Sequence, residues 1–447
     1  MKLRGNMRVN STGHLEIGGC DTVDLARDFG TPLYVLDEEF FRSRCRAYRN
    51  ELTANYPDSM VIYASKALMN MAICRIVDDE GLGLDVVSGG ELYTAYQSGF
   101  PMEKVFFHGN NKSPEELRMA MEYGVEIFVV DNLYELENLN NLAVQKGKKA
   151  SVLFRLTPGV EAHTHSYTQT GQQDSKFGLG IKDGVAIQVI RHALTLPGIN
   201  VKGVHCHIGS QIFDIDPYKL AVKVMFEFLD ELKQLTGFEA EILDMGGGLG
   251  IVYREGDQPA TIESCVRLIA DAVKEEAQSR NYPLPKLVLE PGRSLVGEAG
   301  TTIYTVGSIK ELPGIRCYMA VNGGMADNPR VALYQAEYEG IIANKADQKR
   351  EKLVTITGKC CESGDMLIWD ILVAPPQPGD IMAIFSTGAY NYSMASNYNR
   401  LPRPAMVIVQ NGQADLIVAR ETYSDLISLD RIPARIQKLA AVSGNRS

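Results

Sequence analysis

Long hydrophobic runs are missing from this 447-residue chain. No stretch approaches the ~18 consecutive apolar residues that a membrane span needs. The opening MKLRGNMRVN is polar and no apolar segment follows it, so no secretory signal is expected. Basic blocks are missing too. With 45 Lys and Arg against 55 Asp and Glu the net charge is −10, which argues against a nucleic-acid-binding surface. Paired metal-ligand spacing is lacking among the eight cysteines (20, 45, 74, 206, 265, 317, 360 and 361), and no pair matches CxxC. Adjacent Cys360 and Cys361 could form only a strained bridge, so most of the eight read as reduced core residues, with Cys361 set apart by its context. No low-complexity linker is seen. What is present is a globular composition, 45% hydrophobic with 41 glycines. At roughly 100–200 residues per domain this suggests two or three domains, or one large barrel with a smaller partner, in a cytoplasmic protein.

From residue 61 a pattern repeats: a short apolar run, a polar or glycine-rich step, then an amphipathic segment. The runs Val61–Ala64, Gly83–Val87, Val105–Phe107 and Ile127–Val130 start 22 residues apart, about one strand, one helix and two short loops. Four more follow at Ser151–Leu156, Val201–Ile208, Ala240–Asp244 and Lys286–Leu289. Between them lie helical stretches such as Glu116–Tyr123, with Ser113 as a candidate N-cap, Pro114 in the first turn and acidic residues answering the helix dipole. Eight βα units in series predict a (β/α)8 barrel over residues 38–297, with an open doubly wound sheet as the competing arrangement. Beyond about residue 297 the texture changes to short strands (Thr301–Ile309, Leu353–Thr357, Met366–Val373, Ile381–Phe385, Met406–Val409). These predict a β-rich domain over 298–447, completed by strand-like pieces His14–Ile17 and Pro32–Leu36 of residues 1–37.

In such barrels chemistry sits at the C-terminal ends of the strands. Those ends carry Ser65-Lys66, Asp85 with Ser88, His108 with Asn110 and Asn111, Asp131, Arg155, His205 with His207 and Gly209-Ser210, Asp244 with Gly246-Gly247-Gly248, and Glu290 with Gly292-Arg293. A lysine directly after a buried strand either snorkels out at the rim or serves as a Schiff-base amine. Three consecutive glycines are either a tight turn or a place where backbone N–H groups approach a phosphate. With Ser210 and Arg293 on neighbouring strands, the glycines form a plausible phosphate cradle. Glu290 could hold a pyridine nitrogen protonated, which makes the ring an electron sink. His205, His207 and Asp244 could instead be metal ligands, but Lys66 and the glycine run would then share no purpose, so no metal is expected.

Tyr63-Ala64-Ser65-Lys66, His207-Ile208-Gly209-Ser210-Gln211, Gly246–Gly250 and Glu290-Pro291-Gly292-Arg293 resemble the fold-type III pyridoxal-phosphate (PLP) decarboxylases. Three further motifs are similar to the diaminopimelate-acting branch of that family: Asn328–Tyr334, Cys361-Glu362-Ser363-Gly364-Asp365, and Gly388-Ala389-Tyr390 through Asn397-Tyr398-Asn399. The resemblance covers nearly the whole chain, in order. It implies an N-terminal barrel plus a C-terminal β domain, and decarboxylation of meso-2,6-diaminopimelate to L-lysine and CO2. The implied cofactor-binding set is Lys66, Asp85, His207, Ser210, Gly247, Gly248, Glu290, Gly292, Arg293 and Tyr390. Lys66 would hold PLP, His207 stack on its ring and Cys361 donate the proton, a task that suits a thiol of reference pKa about 8.5. Arg293, Arg330, Tyr334 and Tyr390 with Glu362 would grip the unreactive end of the substrate, the arginines its carboxylate and Glu362 its ammonium. Cys361 and Glu362 would come from the partner subunit of a homodimer. The loop His163–Gly180 is expected to cover the site. Asn322, Val331 and Asn391 depart from common family patterns, which bears on local loop geometry rather than on the reaction. Sister substrates (carboxynorspermidine, arginine, ornithine), a non-catalytic PLP carrier and a metal-dependent hydrolase are the competing readings.

Overall fold

The computed structural model describes residues 2–160 and 175–437. Eight parallel strands form the barrel: β1 (Ser59–Ala64), β2 (Gly83–Val86), β3 (Val105–Phe107), β4 (Ile127–Val130), β5 (Ala150–Thr157), β6 (Ile199–Cys206), β7 (Ile242–Asp244) and β8 (Lys286–Leu289). They are hydrogen-bonded in that order. The sheet closes into one ring, not the competing open arrangement, since β8 pairs with β1 and the ladder is unbroken from β4 to β5.

Closure follows from the two-residue period of the strands. Ile62, Phe106, Ile127, Val129, Leu153 and Val288 point into the lumen and pack there as a small apolar plug. The alternate residues, among them Tyr63, Leu84, Phe107, Phe128, Val152 and Val204, face the helices in a separate, larger core. Each large apolar side chain so buried contributes about 1.5–3 kcal/mol. One step beyond the plug, in the same lumen-facing register, stand Asp85, His108, Arg155, His205, Asp244 and Glu290. The polar layer at the barrel mouth is therefore dictated by the pleat.

Short polar residues after the strands start the helices. Asn70, Ser88, Ser113, Asn132 and Thr261 each accept a backbone N–H as N-cap. Ser113 and Glu116 form the full reciprocal capping box, with Pro114 in the first turn of Pro114–Tyr123. After β8 only the four-residue helix Arg293–Val296 follows. The helix that precedes β1, Glu38–Asn55, fills that side of the ring by packing on Ile262–Ser279.

The second sheet runs Met366–Val373, Lys352–Thr357, Arg316–Val321, Gly300–Leu312, Leu33–Asp37, Ala405–Gln410, Gln413–Val418. Its N-terminal strand Leu33–Asp37 sits between two C-terminal ones, antiparallel to Gly300–Ile303 and parallel to Ala405–Val409. Asn322 fixes this join: its Oδ1 accepts from Thr305 N–H at 2.9 Å while its Nδ2 donates to Thr31 O at 2.9 Å. Donation to the Thr31 carbonyl needs an amide, so this departure from the family pattern has a local use. Among the described residues no helix is long and apolar enough to cross a membrane.

Candidate active site

The polar ends of the strands open into one cavity of about 630 Å³ between the barrel mouth and the second sheet. Lys66, His207, Ser210, Gly248, Glu290, Gly292 and Arg293 line it from the barrel, and Arg330, Tyr334 and Tyr390 from the β region. Ten of the fourteen sequence-selected residues thus meet in one place. Four do not line it. Asp85 lies deeper, 1% exposed, 3.8 Å from His108 Nε2. Gly247 stands behind Gly248 in the turn after β7. Cys361 and Glu362 lie on an exposed turn of the second sheet, away from this chain's own cavity. The other seven cysteines are buried thiols.

Lys66 follows β1 as the first polar residue in its lumen-facing register, after Ile62 and Ala64. Burial works against its charged amine, but Asp85, then Tyr390 and Glu290, outweigh it and raise its pKa. Glu290 is held by two imidazoles. His205 Nε2 is 3.1 Å from Oε2, and His108 Nε2 is 2.8 Å from Oε1 but not aligned as a hydrogen bond. Burial opposes ionisation of Glu290, yet His108 and His205 hold its pKa well below the usual carboxylate range. Burial pushes the His205 pKa down to about 4, so this imidazole is neutral and donates to Glu290. Burial, with Lys66 and Arg155 close by, holds His207 well below its ordinary value as well.

The ligand atoms that converge belong to His108, His205 and Glu290, within 4.8 Å of one another, rather than to His205, His207 and Asp244. The strand ends at Cys206, so His207 departs from the direction of His205 and its Nδ1 instead receives the Gly247 N–H at 3.4 Å.

On the other wall, Arg293 donates from Nε and Nη2 to Ser210 Oγ at 3.2 and 2.9 Å, and from Nη1 to Tyr253 OH at 2.6 Å. Arg330 donates from Nη1 to Tyr338 OH at 2.7 Å. Both guanidiniums are 7% exposed, and among the described residues neither is paired with a carboxylate. Burial disfavours the Arg330 charge, but Tyr253, Tyr338 and Tyr390 are the groups that outweigh it. Two buried cations with only hydroxyl partners form a site shaped for anions brought from outside.

Between these walls the turn Gly246–Gly248 comes close to its neighbours. A Cβ on Gly247 would collide with the Glu290 carbonyl, and one on Gly248 (φ +121°) with the Gly209 carbonyl. Tyr390 has a left-handed backbone, φ 64°, and its N–H donates to Ala67 O at 2.8 Å, which brings its ring to 4.8 Å from the Arg293 guanidinium.

Of the expected loop His163–Gly180, residues 163–174 lie outside the described residues. The remainder returns to the barrel mouth. Phe177 lines the cavity under Arg155, 4.4 Å from the ring centroid, and Gly178 N–H donates to Asp131 Oδ1 at 2.9 Å.

Residues 39–297 match the family model described as pyridoxal-dependent decarboxylase, pyridoxal binding domain. The chain is 53% identical over 430 residues to the diaminopimelate decarboxylase of Bacillus subtilis, covering 96% of this chain and 98% of that one. It is 47% identical to the Synechocystis diaminopimelate decarboxylase, over 96% of this chain and 92% of that one. It superposes with a TM-score of 0.90 on the crystal structure of diaminopimelate decarboxylase from M. jannaschii in complex with L-lysine, at 38% identity over 97% and 100% of the two chains. The chain belongs to the diaminopimelate decarboxylases.

The enzyme's cofactor is therefore PLP, and the cavity fits it. Glu290 Oε1 is a buried acceptor without a hydrogen-bond partner, as a carboxylate awaiting a protonated ring nitrogen would be. Gly248, Gly292 and the Ser210–Arg293 pair line the same cavity, and the turn at 247 and 248 packs so closely on the Glu290 and Gly209 carbonyls that only glycine fits there.

Several residues that matter here escaped the sequence reading. His108 and His205 were noted as strand ends, and the period of two was the signal for their shared contact with Glu290. Tyr253 and Tyr338 carried no signal at all. Asn391, read as a loop-geometry residue, is fully buried and donates to Tyr338 OH at 3.2 Å and Thr387 O at 3.1 Å.

Proposed function

We propose that this chain is a cytoplasmic homodimeric decarboxylase in which one of two buried arginines, Arg330, selects the substrate by its distal carboxylate. It removes CO2 from one end of meso-2,6-diaminopimelate and leaves L-lysine. The observation that carries the reading is the pair of carboxylate-free guanidiniums, Arg293 and Arg330, in the same cavity as Lys66 and Glu290. The substrate's two amino-acid ends explain why both kinds of group are needed. The barrel, residues 38–297, treats the reacting end, and residues 1–37 with 298–447 supply the grip on the other.

At the reacting end, PLP when bound supplies an electron sink for the pair left by departing CO2. Lys66 anchors the cofactor through its amine. Glu290, kept ionised by His108 and His205, holds the ring nitrogen in its protonated form. His207, which lines the cavity, would stack on the cofactor ring, and burial holds its pKa low so that it adds no second cation beside Lys66. Ser210, the N–H groups of the Gly246–Gly248 turn, Gly292, Arg293 and Tyr390 take the phosphate.

At the distal end the Arg330 fork receives the carboxylate, with Tyr334 at the rim. Lysine or ornithine lacks that carboxylate and leaves a buried arginine unpaired, a penalty that discriminates by orders of magnitude. The proton that replaces CO2 at the α-carbon comes from the Cys361 thiol, and Glu362 pairs with the distal ammonium. Both are exposed on their own chain, as residues delivered across a dimer interface must be.

The test is turnover of purified protein with PLP and meso-diaminopimelate, following CO2 and lysine, beside Lys66→Ala. Equimolar lysine and CO2 from the wild type and neither from the variant are expected. PLP bound through Lys66 without lysine formation would overturn the substrate assignment, and arginine, ornithine and carboxynorspermidine would be the next substrates.

A further inference from the structure

Tyr253 belongs to neither the glycine turn nor any strand, yet it touches both unpaired arginines. It lies on the loop between β7 and the helix Ile262–Ser279, 6% exposed. Its backbone is tied down on three sides. Its own N–H donates to Asp257 Oδ2 at 2.9 Å, Ile251 O accepts from Gln211 Nε2 at 2.8 Å, and Val252 O accepts from Ser386 Oγ at 2.9 Å. The side chain leaves the barrel and enters the core of the second sheet, with Val331, Tyr338 and Tyr304.

There its two ends do different work. The hydroxyl accepts from Arg293 Nη1 at 2.6 Å. The ring face lies 4.7 Å beneath the Arg330 guanidinium, and Tyr338 meets it edge-on at 5.4 Å. We propose that Tyr253 is a positioning residue that holds the two guanidiniums in separate places, Arg293 for the phosphate of the cofactor and Arg330 for the distal carboxylate of the substrate.

The reasoning is electrostatic and geometric. Two buried cations in one cavity repel, and neither has a carboxylate to hold it. Arg293 is directed by two oxygens, Ser210 Oγ and Tyr253 OH, which leaves its remaining N–H groups for an anion on the barrel side. Arg330 is clamped between the Tyr253 face and Tyr338 OH, which fixes its plane. A cation over an aromatic face is held there without spending N–H donors, so the groups not given to Tyr338 OH stay available for a carboxylate. The Tyr253 hydroxyl, having accepted from Arg293, still has its own proton to donate.

The inference rests on the proposed function in naming the two anions, and it separates into two substitutions. Tyr253→Phe removes the oxygen and keeps the face. Tyr253→Met removes both and leaves a smaller, flexible apolar side chain. PLP affinity is measured by titrating the cofactor-depleted protein and following cofactor absorbance, and KM for diaminopimelate is measured at saturating PLP. Tyr253→Phe is expected to weaken PLP binding about tenfold, the scale of one hydrogen bond to a charged group, and to leave KM within about twofold. Tyr253→Met is expected to show the same PLP defect and in addition a KM raised about tenfold, so phenylalanine restores what methionine loses. Equal KM values in the two variants, or PLP affinity within twofold of wild type in Tyr253→Phe, would overturn the proposal. Should the methionine variant not fold, the phenylalanine split between PLP affinity and KM decides alone. A wild type that binds PLP but makes no lysine would sink the substrate assignment and leave the PLP comparison intact.

Discussion

Arg330 offers a test in which stability and function should move apart. The perturbation is Arg330→Met, which keeps most of the aliphatic stem against Val331 and Tyr253 and deletes the charge. In the ligand-free protein the guanidinium loses one hydrogen bond, to Tyr338 OH, and one aromatic face, that of Tyr253. These contribute about 1.5–3 and about 0.5–2 kcal/mol. Against them stands the desolvation of a buried ion with no opposite charge beside it, which costs several kcal/mol. The two sides nearly cancel, so the substitution should change the stability of the cofactor-free protein by no more than about 1–2 kcal/mol.

Catalysis has no such compensation. In the variant the distal carboxylate enters a cavity without its partner, and losing one member of a buried charged pair costs about 2–5 kcal/mol, or roughly 30- to 5,000-fold in kcat/KM. L-lysine retains that carboxylate, so its affinity as a product should fall by a comparable factor, a readout that does not pass through the reacting end. Arg330→Lys keeps the charge but not the fork and should fall between the two. Thermal denaturation of the cofactor-depleted protein, initial rates of lysine release and lysine binding by calorimetry give the three numbers. A variant strongly destabilised yet within about threefold of wild type in kcat/KM would show that Arg330 is a structural cation, and the reading of the cavity as an anion site would fall with it.

Two further outcomes follow from the same geometry. His205 is buried neutral with a pKa of about 4. A group whose folded pKa lies below its unfolded value of about 6.5 takes up its proton only on unfolding, so it lowers stability as pH falls through 6.5 toward 4. The cost is about 2 kcal/mol at pH 5 and close to nothing at pH 7.5. His205→Gln, whose amide can still donate to Glu290, should lose that portion of the acid sensitivity in urea melts at the two pH values; an unchanged difference would place the sensitivity elsewhere. Mixing inactive Lys66→Ala and Cys361→Ala subunits should restore about a quarter of wild-type activity, since half the dimers are then mixed and one of their two sites is whole. No recovery after verified subunit exchange would mean that each chain supplies its own proton donor.

The barrel was legible because its signal is local. A strand followed by Asn, Ser or Thr as helix cap repeats along the chain, and each repeat can be read without knowing where the others go. The same locality gave Lys66, Glu290 and the glycine turn, since each lies at a strand end and the fold brings strand ends together. Cys361 and Glu362 mark the first limit. Sequence order places them in the second sheet but cannot say which copy's cavity they serve, and the single chain leaves them exposed.

Asn391 and Tyr253 mark the second limit, and it is of a different kind. Asn391 follows Tyr390 in a turn with no periodicity, yet it is fully buried. Its amide is oriented by donation to Thr387 O, because the opposite orientation would set oxygen against oxygen, and so its Nδ2 also reaches Tyr338 OH. Tyr338 OH in turn accepts from Arg330. A residue that touches no ligand therefore sets the orientation of one that does, through two hydrogen bonds spanning positions 330, 338 and 391. Tyr253 acts on the same arginine from position 253, in the barrel half of the chain. Polar networks of this kind have no sequence period, because their spacings are unrelated: eight residues from Arg330 to Tyr338 and 53 from Tyr338 to Asn391. The specificity of the site depends on them as much as on the motifs, for a guanidinium binds a carboxylate in two places only when something else has fixed its plane.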